Sequence, residues 1–91
     1  MTIEPISTSI KKLIAFDGGY LILEDYYGFK GKSNFYFVKN DKVVWFAEQP
    51  TIGDAYVNFD MQVNSIVAWS WSCFRVKIDN DGKIVESVFT K

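Results

Sequence analysis

The segment from Ser65 to Asp79 constrains the fold more than any other stretch, because its hydrophobic alternation changes phase in the middle. After Cys73, apolar and charged residues alternate strictly, as they do in a strand with one buried face. Before Ser70 the apolar residues have the opposite parity. A phase change inside one unbroken strand would turn half of its apolar residues toward water. The sequence therefore predicts two antiparallel strands joined by a tight turn at residues 71–73, with a bulge in one strand as the alternative.

The same alternation predicts which side chains of the second strand are buried. Phe74, Val76 and Ile78 share one parity and are predicted to be nearly inaccessible. Arg75 and Lys77 share the other parity and are predicted to lie in solvent.

Residue usage extends this interpretation to the whole chain. Aromatic residues make up 18% of the 91 residues, and Val and Ile are common. These residue types pack well on a pleated, partly buried surface. The chain is long enough for one hydrophobic core and too short for a second domain. The predicted fold class is all-β, with eight antiparallel strands arranged as two four-stranded meanders packed as a sandwich or barrel.

Turn-forming residues mark the limits of the predicted strands. Asp17-Gly18-Gly19 and Asn40-Asp41 have the residue types of short hairpin turns, and residues 80–82 and 62–64 also read as turns. The predicted strands are residues 12–16, 20–27, 34–38, 43–48, 56–60, 65–70, 74–79 and 83–89.

A proline and a glycine within residues 50–54 divide the chain nearly in half. Residues 1–9 are polar and show no sustained period, so they are predicted to form an N-terminal tail or an extra edge segment. Residues 10–91 are predicted to form one all-β domain, with a first meander at 10–49, a linker at 50–54 and a second meander at 55–91.

The last hairpins of the two halves can be overlaid, starting from Phe35 and from Val76. Their offset is 41 residues, which is the period of a four-stranded propeller blade. With an acidic turn that leads to a strand carrying Trp45, the sequence resembles blade repeats of the quinoprotein and tryptophan-aspartate propellers over about 80 residues. The second unit departs from this pattern, because Glu86 stands where Trp45 predicts an aromatic residue.

Two blades do not close a propeller, so the meanders need another way to bury their faces. They can pack face to face as a sandwich, roll into a barrel, or assemble as blades between subunits. The last arrangement would make the protein a homo-oligomer.

The sequence contains no histidine, the commonest general base and metal ligand near neutral pH. Catalytic triads and the usual zinc sites are therefore not expected, and the chain is predicted not to be an enzyme. The adjacent carboxylates Glu24 and Asp25 lie on a predicted strand, where neighbours point to opposite faces. No catalytic residue, metal site or cofactor is predicted.

Two short segments resemble ligand-binding loops but lack required residues. Gly31-Lys32-Ser33 has Tyr26 where a phosphate-binding loop needs a glycine, and a predicted strand follows it instead of a helix. Residues 79–84 resemble the middle of a calcium loop, but Lys77 stands where the first carboxylate is required. The segment is predicted to be a hairpin turn.

Charge and cysteine usage limit the classes of partner. Ten Lys and Arg against eleven Asp and Glu create no net basic field, so nucleic acid is not an expected partner. No apolar stretch is long enough to span a membrane, and no secretory signal is recognised. The single cysteine, Cys73, suits a reducing compartment, and a cytoplasmic location is expected.

The aromatic residues exceed what a core of this size needs, so some are expected on the surface. Exposed Tyr and Trp beside carboxylates are typical of protein-binding surfaces. In the predicted layout the strand from residue 56 pairs with the strand carrying Trp69, which would form one patch. The predicted partner-binding residues are Tyr26, Tyr27, Tyr56, Asp60, Trp69 and Trp71, with Glu24, Asp25, Asp54 and Asp60 steering a basic partner.

These features predict a non-catalytic module that binds another protein. Small size, a slightly acidic balance and surplus aromatic residues resemble bacterial toxin-immunity proteins, which implies an inhibitor that neutralises a toxic enzyme, such as a basic toxin domain. One alternative is a small-ligand barrel in which Trp69, Trp71 and Tyr56 stack on a sugar or nucleobase. Another is a structural β module that assembles with copies of itself.

Overall fold

The computed structural model describes residues 4–63 and 65–90. This part of the chain contains eight strands and no helix. The strands are β1 (Ile10–Phe16), β2 (Gly19–Glu24), β3 (Phe35–Lys39), β4 (Lys42–Phe46), β5 (Tyr56–Gln62), β6 (Ser65–Ser70), β7 (Phe74–Ile78) and β8 (Ile84–Phe89).

Within each half of the chain, consecutive strands pair in antiparallel fashion, and β4 does not pair with β5. Strands β1 to β4 form one four-stranded sheet in sequence order, and β5 to β8 form a second. The predicted all-β class and the two four-stranded meanders are confirmed. Across the described ranges, no helix is long and apolar enough to cross a membrane.

Left-handed backbone conformations close the first hairpins where the sequence predicts turns. Asp17 and Gly18, between β1 and β2, have φ angles of 45° and 79°. Asn40 and Asp41, between β3 and β4, have φ angles of 54° and 63°. Positive φ at both central residues matches the right-handed twist of the flanking strands, which favours two-residue hairpin turns.

The phase change in the segment from Ser65 to Asp79 is resolved by a turn. Residues 71–73 separate β6 from β7, and Cys73 has a φ angle of 70°. The Cys73 amide donates a hydrogen bond to the Ser70 carbonyl at 3.1 Å. The predicted turn is confirmed, and no bulge within one long strand is needed. In the predicted turn at 62–64, Val63 is a turn residue and Asn64 lies outside the described residues.

The two sheets pack face to face around a shared core, as in a β-sandwich. Buried side chains of both sheets form this core: Leu21, Leu23, Phe35, Phe37, Ala47, Tyr56, Phe59, Ile66, Ala68, Val76 and Ile78. Phe35 of β3 stacks on Phe59 of β5 with ring centroids 4.5 Å apart. Such aromatic pairs contribute about 0.5–1.5 kcal/mol beyond the area they bury.

The side chain of Asn34 joins the two sheets by hydrogen bonds. Its Nδ2 donates to the carbonyl oxygens of Glu24 and Tyr56, both at 2.8 Å. Its Oδ1 accepts from the Tyr56 amide at 2.9 Å. Asn34 is buried, so it satisfies backbone groups that water does not reach. The start of β5 is thereby fixed against the end of β2.

A second connection links β4 to the turn between β7 and β8. The indole nitrogen of Trp45 donates to the Asn80 carbonyl at 2.8 Å, and the Glu48 amide donates to the Gly82 carbonyl at 2.8 Å. A Cβ atom on Gly82 would lie 2.6 Å from the Trp45 ring, so glycine permits this close packing. In the same turn Asp79 Oδ1 accepts from the Lys83 amide at 2.9 Å.

The structure corrects the predicted position of Tyr56, at the start of β5. Tyr56 was expected at the surface as a partner-binding residue, but it is fully buried, whereas the next residue, Val57, is exposed. The cause is an irregularity in the pairing of β5 with β6, because Tyr56 pairs with Ser70 whereas Asn58 pairs with Trp69. The extra residue, Val57, shifts the alternation by one position.

The predicted facing of β7 is right for two residues and wrong in degree for the others. Val76 and Ile78 are buried, as expected. Phe74 is only half-buried. Its ring packs on that of Phe89, with centroids 5.5 Å apart, and Phe89 is itself exposed at the end of β8, so one side of Phe74 stays open to solvent. Arg75 and Lys77 are half-buried rather than fully exposed, as long charged side chains often are when their stems lie along a sheet.

Candidate functional site

The loop after β2 holds two of the predicted partner-binding residues. The sequence predicts a strand through Tyr27, but β2 ends at Glu24. Asp25 ends the strand, because its Oδ1 accepts a hydrogen bond from the Tyr27 amide at 3.0 Å and so closes an Asx turn. Tyr26 and Tyr27 are therefore loop residues. The prediction that both lie on a strand is wrong.

Tyr26 and Trp71 form an aromatic contact between the two halves of the chain. Their ring centroids are 5.1 Å apart, with an angle of 37° between the ring planes. The Trp71 backbone is held by its amide, which donates to the Ala55 carbonyl at 2.7 Å. Both side chains keep much of their surface in solvent, with 39% of Tyr26 and 64% of Trp71 exposed.

Tyr27 extends this surface, since it follows Tyr26 in the loop and is 84% exposed. We call Tyr26, Tyr27 and Trp71 together the aromatic corner. Three large aromatic side chains from two loops are thus exposed, and two of them, Tyr26 and Trp71, are in contact. Tyr and Trp are the residue types that most often carry binding energy at protein interfaces.

Trp69 and Asp60 lie on a different surface, the outer face of the second sheet. The predicted pairing of their strands is confirmed, with Trp69 opposite Asn58 and Asp60 opposite Val67. Trp69 is half-buried and Asp60 is exposed. The single predicted patch is therefore divided between the aromatic corner and this outer face.

Tyr56 belongs to the core, so its predicted place at the surface is wrong. Its side chain is fully buried, and its hydroxyl donates to the Glu48 carbonyl. Burial raises the pKa of the Tyr56 hydroxyl, and the negative charges of Asp54 and Glu48 raise it further. The ring packs on Phe35, with centroids 5.6 Å apart. This residue stabilises the sandwich rather than contacting a partner.

Glu24 is also buried, which corrects its predicted role in steering from the surface. Its carboxylate accepts hydrogen bonds from the backbone amides of Ile6, Ser7 and Thr8 at 2.6, 3.0 and 2.8 Å. It also accepts one from the Tyr36 hydroxyl. Burial acts to raise the pKa of Glu24, but these hydrogen bonds together hold the pKa below its usual value. The carboxylate anchors the N-terminal segment from residue 6 to residue 8.

The remaining predicted acidic residues differ in accessibility. Asp54 is buried, and its Oδ1 accepts hydrogen bonds from the amides of Ala55 at 2.9 Å and Ser72 at 3.1 Å. The prediction that Asp54 steers a partner from the surface is therefore also wrong. Asp25 is half-exposed and lies 3.7 Å from the Lys11 ammonium. Of the predicted steering residues, Asp25 and Asp60 therefore keep their carboxylates accessible to solvent.

A polar cavity next to the aromatic corner was not found from the sequence. It has a volume of about 250 Å³. It is lined by Tyr26, Phe29, Gly31, Lys32, Ser33, Asn34, Gln49, Gly53, Asp54 and Ala55. The lining comes from the loop after β2 and from the linker, segments that are distant in sequence and carry no shared pattern. Within residues 4–63 and 65–90, no three side chains of His, Cys, Asp or Glu are grouped so that they could hold a metal ion.

Comparison with known proteins finds no family model, no curated protein and no solved structure that matches this chain.

Proposed function

We propose that this protein is a non-catalytic module that binds a protein partner through the aromatic corner. The observation that carries the proposal is the contact between Tyr26 and Trp71, whose ring centroids are 5.1 Å apart while 39% of Tyr26 and 64% of Trp71 stay exposed to solvent. Exposed aromatic surface does not stabilise the folded protein, whereas burying the same surface against a partner contributes favourable binding free energy. Aromatic anchors of this kind lose little conformational entropy on binding, because few bonds rotate in their side chains.

An accessible carboxylate beside the aromatic corner supports a partner with a basic surface. Asp25 directly precedes the corner in the chain and lies 3.7 Å from the exposed Lys11 ammonium, whereas Asp60 is exposed on the separate outer face of the second sheet. Charges at the edge of an interface accelerate association with an oppositely charged partner more than they add to affinity. Neither a nucleic acid nor a membrane surface, both negatively charged, is the kind of partner that this arrangement favours.

A narrower form of the proposal is that the partner is a toxic enzyme, which this protein neutralises as an immunity protein in the cytoplasm. Its support is the small size, the net charge of −1 and the absence of histidine from the sequence. In this form the captured partner is expected to be a basic enzyme whose activity falls when the aromatic corner is covered.

The small-ligand alternative receives less support from the geometry. It requires Trp69, Trp71 and Tyr56 to line one opening. Tyr56 is in the core, and Trp69 lies on the outer face of the second sheet. The self-assembly alternative needs blades that are completed between copies, whereas the two sheets of one chain already bury their faces against each other.

Replacing Trp71 by alanine is expected to weaken partner binding by at least about 2 kcal/mol, or roughly thirtyfold, because a desolvated aromatic anchor is lost. Wild-type and variant proteins are immobilised and exposed to an extract of the cell of origin, and the retained proteins are compared by mass spectrometry. The protein retained by the wild type is then purified and titrated by calorimetry. Val85→Ala is the control, since Val85 is an exposed apolar residue away from the corner.

Equal binding by Trp71→Ala, Tyr26→Ala and wild type would overturn the aromatic corner as the interface. A series of sugars and nucleotides, monitored by tryptophan fluorescence, tests the alternative. Saturable quenching by one of these compounds, with no retained protein, would favour the small-ligand function.

A further inference from the structure

Strand β8 is an edge strand whose C-terminal half lies open to solvent. It is the last strand of the second sheet and pairs with β7 on one side. From Val85 to Phe89 every residue is exposed, on both faces of the sheet, and Val88 and Phe89 keep 45% and 58% of their surface in solvent. A free strand edge with exposed apolar side chains is a template for pairing with another strand, and proteins commonly protect such edges.

The other three edge strands carry protection of this kind. In β1, Lys11 and Lys12 place charges along the edge, and the Lys12 ammonium donates to the Phe59 carbonyl of β5. The pairing of β5 is also interrupted by the irregularity at Val57. The turn between β7 and β8 covers the end of β4, because the indole nitrogen of Trp45 donates to a carbonyl of that turn. Strand β8 contains neither lysine nor proline, and is therefore the least protected edge.

The hydrogen bonds at the end of β8 show which backbone groups face outward. The Thr90 amide donates to the Cys73 carbonyl at 2.7 Å, on the β7 side. Because the N–H and C=O groups of successive residues in a strand alternate in direction, those of Val88 also face β7. Those of Ser87 and Phe89 face away from it. Both residues therefore offer a donor and an acceptor to an incoming strand.

We propose that the protein forms a dimer in which β8 pairs in antiparallel fashion with β8 of a second copy, about a two-fold axis at Val88. Ser87 of each copy then lies opposite Phe89 of the other, and each of these pairs exchanges both of its N–H···O bonds. The contact uses the same surface on both copies, as a two-fold interface requires. It leaves both sandwiches complete, so it needs no blade shared between copies and does not depend on the proposed function.

Both faces of β8 gain apolar contacts in this register. Val88, on the same face as Arg75, meets Val88 of the second copy at a position where directly opposite side chains come close. Phe89, whose ring packs on that of Phe74, becomes a diagonal neighbour of Phe89 of the second copy, within reach of aromatic side chains. The exposed apolar surface of β8 is thereby buried against an identical surface.

The charges on β7 and β8 favour a second copy in this register. Glu86 is the one charged residue of β8. A two-fold axis at Glu86 would place two carboxylates directly opposite each other, and an axis at Ser87 would make them diagonal neighbours. An axis at Val88 separates their Cα atoms by roughly 14 Å and brings Glu86 to about 12 Å from Arg75 of the second copy, within the combined reach of both side chains. Arg75 forms no ion pair among the described residues of its own chain.

Sedimentation velocity of the full chain over a range of concentrations tests the dimer. The interface is small, so we expect a reversible dimer with a dissociation constant of about 10–100 µM. Ser87→Pro removes an outward N–H and spares the pairing with β7, since proline is tolerated on an edge strand where its nitrogen faces solvent. Val88→Lys places like charges opposite each other on the axis. Each variant is expected to weaken dimerisation about tenfold or more. Val44→Lys, at an exposed valine of edge strand β4, is the control and is expected to dimerise as the wild type does.

Disulfide cross-linking tests the register by a separate measurement. In a Cys73→Ser background, Val88→Cys is expected to form a covalent dimer under mild oxidation, because a residue on the axis meets its own copy at a distance that a disulfide can span. Glu86→Cys in the same background is expected to cross-link about tenfold more slowly or less, because the two Cα atoms are roughly 14 Å apart.

A wild type that stays monomeric at every concentration, undiminished dimerisation of both Ser87→Pro and Val88→Lys, or equal cross-linking at positions 86 and 88 would each overturn this dimer. A monomeric wild type whose binding to the retained protein partner is abolished by Ser87→Pro would assign the edge to a strand of that partner instead. None of these results depends on Trp71, so the dimer and the aromatic corner fail separately.

Discussion

Replacing Phe35 by alanine is expected to lower the free energy of unfolding by about 3–5 kcal/mol, most of the stability of a domain of this size. Phe35 is fully buried. Its ring contacts three other aromatic rings, with centroid distances of 4.5 Å to Phe59, 5.6 Å to Tyr56 and 6.2 Å to Trp45. These contacts join both sheets, so the cavity left by the substitution would lie between the layers, where neither sheet can collapse into it without moving as a whole.

Urea denaturation monitored by far-ultraviolet circular dichroism measures this loss. Phe89→Ala is the matched control, because Phe89 is 58% exposed and packs on Phe74 alone among the aromatic rings of the described chain. Its expected cost is about 1 kcal/mol or less. Similar losses from the two variants would show that the interface between the sheets is not the main source of stability.

Replacing Glu24 by glutamine is expected to destabilise the protein by roughly 1–3 kcal/mol at pH 7, because charge-assisted hydrogen bonds to buried donors are lost. Glutamine offers one carbonyl oxygen where the carboxylate accepts from the amides of Ile6, Ser7 and Thr8 and from the Tyr36 hydroxyl. The side-chain NH₂ group of glutamine would also face the N–H and O–H donors that now bind the carboxylate. The N-terminal segment would consequently lose its anchor.

The effect depends on pH in a defined direction. The pKa of Glu24 is lowered in the folded protein from its usual value of 4.5, because the hydrogen bonds to its carboxylate outweigh the effect of burial, which acts to raise the pKa. The stabilisation is therefore fully present above about pH 4.5 and is lost as the pH falls through the lowered folded pKa. The stability difference between wild type and Glu24→Gln is expected to shrink over that acidic range.

Urea denaturation of both proteins at a series of pH values checks this, with Glu86→Gln as the control. Glu86 lies on the surface, 3.8 Å from the Lys77 ammonium, where an ion pair contributes little. A constant difference between wild type and Glu24→Gln from neutral pH down to acid would show that the Glu24 charge is not what holds residues 6–8.

Strands and turns could be predicted because they depend on local patterns. Each of the signals used spans only a few residues. These signals are the period of two in the strands, the turn residues Asp17 and Asn40 with positive φ, and the phase change before Phe74. The irregularity at Val57 could not be predicted in the same way. Its position depends on how β5 pairs with β6, and an inserted residue leaves no mark on the hydrophobic pattern other than a misplaced tyrosine.

The candidate site was predicted in part. An excess of aromatic residues correctly indicated that some would be exposed, and Tyr26, Tyr27 and Trp71 are exposed. The burial of Glu24 and Asp54 was missed, because each carboxylate is held by backbone amides of a segment distant in sequence. Nearly every residue type carries the same backbone N–H donor, so the sequence pattern does not show which amides will bind a carboxylate.

The order of the strands in the two sheets has a consequence for how the chain folds. Every pairing joins neighbours in the sequence, from β1-β2-β3-β4 to β5-β6-β7-β8. Each sheet can therefore grow by adding one hairpin at a time, and no strand has to search for a partner across the chain. The pairings within each sheet therefore close short loops only, and the long loop closures are those that bring the two sheets together. The residues that make the docking of the sheets specific are the few that cross the gap, above all the side-chain amide of Asn34.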